Sequence, residues 1–426
     1  MSALDNRAGR HRYRSAVEPT GSSHVRGHGH GHGHGPAPPS SRRVKMLLVA
    51  VLLPVALATL VGLWLTWPGE QPRSGVDVGF GQRPVQGEVL AATSAPCTSG
   101  GAGVDTAAGQ AKKCISLGVL LTDGDSPGVT IQQVLPDEPS TPRFTVGDHV
   151  VLAYTGGNPS DTASYQIQDF QRGTSMLWLA ALFAAAVLLL GRWRGLASLL
   201  ALGFSFLVLV VYLFPAILTG GNPVIVGVLA ASVIMFGVLY LTHGVSAQTS
   251  SAVLGTVLSL ALIGVLGNAF SAATQLTGLD DDTAKLIGVL GHGIDARGLL
   301  LAGMVIGALG VLDDVTVTQT SSVWELRRAN PDLGARALYT AALRIGRDHI
   351  SSAVNTLALA YTGAALPVLL IFSLSGQGFG TLVTTQDIAQ EVVRTLVGSI
   401  GLVAAVPITT AIAAVVARRD DIDPAG

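Results

Sequence analysis

Charge is what this chain has least of. Only 12% of its 426 residues are Asp, Glu, Lys or Arg, about half the share of an average soluble domain, which excludes an ordinary water-soluble protein. The few charges also balance, 26 basic against 27 acidic, for a formal charge of -1. That provides no basic excess for neutralising phosphates, so nucleic acid is not an expected partner. Aromatic residues are scarce at 5%. The motifs of soluble chemistry are missing as well: there is no G-x-S-x-G elbow, no H-E-x-x-H helix, no Walker A loop and no G-x-G-x-x-G after a strand. Hydrolysis of ATP by this chain alone is thereby excluded, no enzyme activity is expected and no cofactor is implied.

What is abundant is apolar. Hydrophobic residues make up 49%, glycine is counted 52 times, and mean hydropathy is +0.51. The fold class expected is an α-helical polytopic membrane protein with about eight transmembrane helices and a small all-β extracytoplasmic domain after the first. Arginine outnumbers lysine, in keeping with a GC-rich bacterial source.

Residues 1–44 are polar and lack the apolar content to offset ordering entropy, so they read as a disordered cytoplasmic tail. Within them His28, His30, His32 and His34 alternate with glycine and are weak candidates for a metal. With no Cys or carboxylate nearby to complete a tetrahedral site, a solvated low-complexity tract is the plainer account. Residues 45–67 form the first apolar run, preceded by Arg42, Arg43 and Lys45, which hold the N-terminus in the cytoplasm.

Residues 68–173 are the only sizeable hydrophilic block. Short β-prone pieces (QGEVLAA, CISLGVLLT, VTIQQVL and FTVGDHVVLAYT) alternate with turn residues, as in a small barrel or sandwich. Cys97 and Cys114 both lie here. In an oxidising compartment they form a disulfide, and two free structural thiols are the competing reading.

Residues 174–418 carry seven further apolar runs: 176–190, 196–218, 224–241, 252–270, 299–317, 350–374 and 392–417. Threaded in alternation, they place Arg192, Arg194, Arg327, Arg328, Arg336, Arg344, Arg347, Arg418 and Arg419 on the side of the N-terminal basic cluster. Both termini, including the tail 419–426, are then cytoplasmic in a bacterial cytoplasmic membrane.

The run beginning at Leu299 turns polar before a hydrocarbon core of about 30 Å has been crossed. Asp313 and Asp314 then lie inside the membrane, near its cytoplasmic edge, where an unpaired carboxylate costs about 2.5 to 3.5 kcal/mol. Asp314, Thr318, Ser321 and Glu325 share one helical stripe; Asp313, Thr316 and Thr320 form a second beside it. Gln319 belongs to the same polar end. Asn355 falls at similar depth, and His243 approaches the same face with Gln248. Low dielectric disfavours two adjacent anions, so this cluster is a candidate for proton carriage or cation coupling. Helix capping and anchoring to Arg327 or Arg344 is the structural alternative. Towards the other side, His292, Asp295 and Arg297 line an outer vestibule or belong to a solvated loop. Gly255, Gly264, Gly303, Gly307 and Gly310 have small-residue spacings that let helices approach.

The segments GVLDDVTVTQTSSVWELR, LTHGVSAQTSSAVLGTVLSL and RDHISSAVNTLALAYTGAALP resemble the YibE/F family of bacterial membrane proteins, with the likeness running from about Gly87 to Arg418. The resemblance implies an N-terminal helix, an extracytoplasmic domain and a multi-helix unit, with shorter relatives lacking the ectodomain as partners. It assigns no activity and carries over no catalytic residue. The function expected is a secondary permease or efflux protein acting on a small solute or ion. The alternative is an envelope scaffold or sensor whose β-domain binds an extracytoplasmic partner. Lipid bilayer and a homo-oligomer complete the expected associations.

Overall fold

The structure, a computed structural model, describes residues 41–69, 83–97, 113–290, 294–374, 376 and 378–420. His28, His30, His32, His34 and His292 lie outside them. Helix α1 (Arg42–Leu65) opens on Ser41, whose hydroxyl accepts from Val44 N at 3.4 Å and so caps the first turn.

The β-domain is one curled antiparallel sheet of β1 (Arg83–Pro96), β2 (Lys113–Leu121), β3 (Thr130–Pro136), β4 (His149–Tyr154) and β5 (Tyr165–Phe170), in the order β3-β2-β1-β4-β5. β1 pairs with both β2 and β4, and a bulge between Val89 and Ala91 bends it. At the fold of the sheet stands Gly87, where a Cβ would lie 2.6 Å from Val119 Cγ1 and 2.9 Å from Leu152 Cδ1. The curl is closed by a side chain: Gln133 Nε2 donates to Thr162 O at 3.0 Å and to Tyr165 O at 2.8 Å. Val89, Leu117, Val119, Leu121 and Leu152 fill the interior without exposure. Cys97 and Cys114 are joined as a disulfide, with Cα atoms 5.1 Å apart. The four expected β pieces become β1 to β4. The fifth strand, YQIQDF, was not expected, because a short edge with Gln and Asp between few apolar residues gives little hydrophobic signal.

Two places in the helical part bear on the eight expected crossings. Six helices among the described residues are long and apolar enough to cross a membrane. Two of the expected runs, 196–218 and 176–190, join in α2 (Gly173–Val208), which continues through a π-turn at Leu209–Leu213 into α3 (Phe214–Leu218), 46 residues in all. The stretch is not one straight helix: a Cβ on Gly195 would lie 2.3 Å from Val187 O, which brings residues eight apart together and turns the chain back between the two runs, leaving a helix on either side. Its one non-helical residue is Arg192, at φ 51° and ψ -127°, in the polar GRWR segment between the two runs. The π-turn precedes Pro215, which has no N–H to close an ordinary helical turn.

The second place is 350–374, where the structure differs from the expected run. There the helix starts earlier, as α8 (Ala335–Ala364), and stops before Pro367, where a short α9 (Leu366–Leu374) begins. With Arg336, Arg344, Arg347 and Asp348 along it, α8 is too polar to count among the six.

The others are α4 (Pro223–His243), α5 (Ala247–Ala273), α6 (Asp281–Leu290), α7 (Ala296–Ala329), α10 (Phe379–Val383) and α11 (Gln386–Arg419). Asn222 Oδ1 caps α4 by accepting from Val224 N and Ile225 N at 3.0 and 3.2 Å, with Pro223 in the first turn and Gly244 at φ +71° ending the helix. Helix α7 packs against α4, α5, α8 and α11. Val44, Leu48, Trp324, Leu338 and Ala413 share one apolar cluster, and Ser41 N donates to Asp420 Oδ1 at 2.8 Å. The start of α1, the ends of α7 and α11 and the start of α8 therefore meet at one end of the bundle, bringing Arg327, Arg328, Arg336, Arg418 and Arg419 with them.

Candidate functional site

Helix α7 is unbroken for 34 residues, from the N-cap Asp295 to a last turn carrying Arg327 and Arg328, charges that suit the C-terminal end of the helix dipole. Asp313 stands about 26 Å from one end of this helix and about 24 Å from the other. That is the middle of the whole helix, although it is near one end of the apolar run within it. The difference arises because α7 continues well beyond its apolar run.

The polar end predicted from sequence divides into two faces. On the buried face, the Thr316 and Thr256 hydroxyls meet at 2.9 Å, joining α7 to α5. Gln319 is fully buried, and its Oε1 accepts from Thr410 Oγ1 of α11 at 2.9 Å while its Nε2 has no partner among the described residues. Thr409 Oγ1, also fully buried, has none either. The packing is tight: a Cβ on Gly255 would lie 2.2 Å from Thr409 Oγ1, and one on Gly346 of α8 would lie 2.7 Å from Gln319 Nε2.

Asp313 and Asp314 have different surroundings. They point about 100° apart on the helix. Asp313 shares a face with Ile306 and Val317, which pack on the core made with α4 and α5. Its Oδ1 is buried with no hydrogen-bond partner among the described residues. Asp314 turns outward, its side chain 74% exposed, and lies 3.5 Å from Nε2 of His349 on α8, an ion-pair separation longer than a good hydrogen bond.

The remaining predicted residues scatter. Glu325 pairs with Arg328 at 2.8 Å one turn along α7. Thr318 is half-buried, and its carbonyl accepts from Ser322 Oγ at 2.9 Å. Gln248 Nε2 donates to Ser321 Oγ at 2.9 Å. His243 is exposed at the end of α4, with Nδ1 2.7 Å from its neighbour Thr242. Asn355 is exposed, and the residue of α8 that meets an aspartate is His349. Starting α8 at residue 350 had put His349 in a loop; carrying the helical spacing of Leu338, Ala342 and Gly346 forward would have found it. At the other end, Arg297 Nη2 donates to Asn268 O at 2.9 Å and sits 3.2 Å from its Oδ1, tying α7 to α5. No group of three or more His, Cys, Asp or Glu able to hold a metal occurs among the described residues.

Membrane-length apolar helices around a polar centre, with a disulfide-linked β-sheet, define a class of helical membrane protein. The family profile described as YibE/F-like protein matches residues 179–419, more than half of the chain, and the chain belongs to that family. The match is narrower than the resemblance read from sequence, leaving α1 and the β-domain outside it. No curated protein and no solved structure matches the chain.

Proposed function

We propose that this protein is a secondary permease of a bacterial cytoplasmic membrane, in which Asp313 takes up a proton or cation as a small solute or ion moves. The observation that carries the reading is the buried, unpartnered Oδ1 of Asp313 near the midpoint of an unbroken helix. As a bare anion in hydrocarbon it would cost about 2.5 to 3.5 kcal/mol, so a proton, a cation or water must compensate it during the cycle. The unpartnered Gln319 Nε2 and Thr409 Oγ1 add polar capacity on the neighbouring interface. Pro407 within α11 leaves a backbone carbonyl one turn earlier without its usual N–H donor. The arginines gathered at the end shared by Ser41 and Asp420 favour a cytoplasmic location for both termini.

The test is proton flux in proteoliposomes containing a pH-sensitive dye, challenged in turn with sodium, potassium, magnesium and zinc. Wild type is expected to move protons with at least one of them, and Asp313→Asn to lose that flux. Flux unchanged in the variant, or none with any cation, would overturn the proposal. The scaffold reading is favoured by one observation, that the β-domain has its own core and disulfide and lies outside the family match. Deleting residues 68–173 separates the two: a permease keeps flux through its helices, and a scaffold loses its extracytoplasmic partner.

A further inference from the structure

Strand β5 runs into α2 without a linker. Gln171 still belongs to the sheet, its N–H donating to His149 O at 2.8 Å and its Nε2 to Gln86 Oε1 at 3.1 Å, and the next residue, Arg172, is the N-cap of α2. Arg172 is fastened in turn by Asp169 and by the ring of Phe170, whose centroid lies 5.8 Å from the guanidinium carbon. The end of the sheet beside His149 is therefore held at a fixed height above Met176, the first apolar residue of the helix. From Arg172 to Met176 is about 6 Å of helix, and the headgroup layer outside a hydrocarbon core is about 5 to 8 Å deep. Trp178, exposed two residues further on, suits the interfacial aromatic belt.

What stands at this end of the sheet is apolar. The turn Thr145 to Asp148 lies on the α2 side of β4, just before His149. Asp148 N donates to Thr145 O at 3.1 Å and Thr145 N to Asp148 Oδ2 at 2.7 Å, with Gly147 at φ +93° in the position of a type II turn that glycine favours. Gly147 N donates to Val89 O at 2.8 Å and Val89 N to Asp148 O at 2.9 Å, which locks the turn to the bulge of β1. Phe144 packs on Phe170 with ring centroids 4.7 Å apart, fixing the turn to the start of α2 as well. Val146 at the tip is 67% exposed, and Leu90, the residue that the bulge inserts, is 45% exposed. Turn tips in water favour polar residues, and a bulge re-aims a side chain; here both devices hold out aliphatic groups on either side of one contact. The described loops at the opposite end of the domain, 122–129 and 155–164, expose no large apolar side chain, and exposed Val134 lies along the edge strand β3.

We infer that Leu90 and Val146 rest in the headgroup layer on their side of the bilayer, so that the β-domain is docked on the membrane surface through this end. The junction of β5 and α2 names the occupant, because it sets the two side chains at headgroup height beside the helix that enters the membrane. Arg172 at the same end is already paired with Asp169, so the contact rests on apolar burial and does not require anionic lipid. This goes beyond the permease reading and does not depend on Asp313.

The experiment places a bimane label on Val146→Cys and, separately, on Leu90→Cys in the full chain, reconstituted in phosphatidylcholine nanodiscs that contain a headgroup-nitroxide lipid. Ser160→Cys, exposed in a loop at the opposite end, is the control, and the native cysteines are already joined to each other. The expected result is that the nitroxide lipid quenches the labels at 90 and 146 several-fold more than the label at 160, while iodide in the buffer quenches them several-fold less. Labels at 90 and 146 as open to iodide as the control would overturn the proposal. Protection from iodide without quenching by lipid would assign the two side chains to a protein neighbour and overturn it too. Quenching that appears only once phosphatidylglycerol is added would assign the contact to charge and contradict apolar docking.

Discussion

On one side of α7, Thr316 and Gln319 are sealed against α5 and α11 by hydroxyl and amide contacts, and glycines on the facing helices leave no room for a single methyl group. On the other side, about half a turn away, Gly303, Gly310 and Asp314 face space that none of the described residues fills. Both sides combine small and oxygen-bearing residues, so composition alone does not tell a packed seam from an uncovered one. What distinguishes them is the neighbour: α5 and α11 arrive with matching hydroxyls, whereas beyond Gly303, Gly310 and Asp314 the described residues supply nothing.

The strongest way to break this contrast is to add volume on each side in turn. Gly255→Val drives a side chain into Thr409 and should destabilise by on the order of 3 kcal/mol, with little folded protein recovered in detergent. Gly310→Val should leave the stability of solubilised protein, read from its thermal melt, within about 0.5 kcal/mol of wild type. Equal losses at the two positions would abolish the distinction.

Next in size is the disulfide. Cys97→Ser with Cys114→Ser is expected to cost the β-domain about 3 kcal/mol through loop entropy alone, read as faster proteolysis of the intact protein within residues 83–170 while the helices resist. Uniform susceptibility throughout would mean that the two parts do not melt separately.

Gln319 sharpens the buried side. Gln319→Ala leaves a cavity and should cost about 2 kcal/mol. Gln319→Leu, which fills the space and removes an unpartnered donor, should stay within about 1 kcal/mol of wild type by thermal melting. A severe loss in the Leu variant would instead mean that the amide is bound by something the buried seam needs.

The smallest effect belongs to a fully solvated contact. Asp169 is held below the ordinary carboxylate value by the hydrogen bond from Arg172 and one from Phe170 N. A lowered folded value means that the stabilisation is present above pH 3.8, the ordinary value, and fades as pH falls through the folded one. Melts of Asp169→Asn and wild type should therefore differ slightly at neutral pH and converge in acid, and a gap that widens in acid would reverse the sign.

Much of the fold was legible because its signals are local. Asn222 with Pro223, and the Val146-Gly147-Asp148 turn with Gly147 at φ +93°, are cap and turn chemistry that depends on nothing distant. The cysteine pair and the bulk of the apolar runs were equally plain. The site was only half legible. Asp313 and Gln319 stood out because polar groups interrupt an apolar run, but which face each residue joins depends on neighbours far along the chain. Asn355 and His243 were expected in the cluster from depth alone, and depth fixes height along a helix without fixing rotation about it. The glycines show the same limit. Gly255 does meet α11, yet a Cβ on Gly264, Gly303 or Gly310 would meet no atom of the described residues, and close approaches occur at Gly227, Gly346 and Gly401, where spacing offered no reason to look.

The most direct measurement of the central claim is the melting temperature of the detergent-purified protein from about pH 5 to about pH 9, for wild type and Asp313→Asn. If Asp313 exchanges a proton or cation, wild type shows a pH- or ion-dependent component of stability that the variant lacks. Parallel curves offset by a constant at every pH and with every cation would make Asp313 a structural residue and contradict the account.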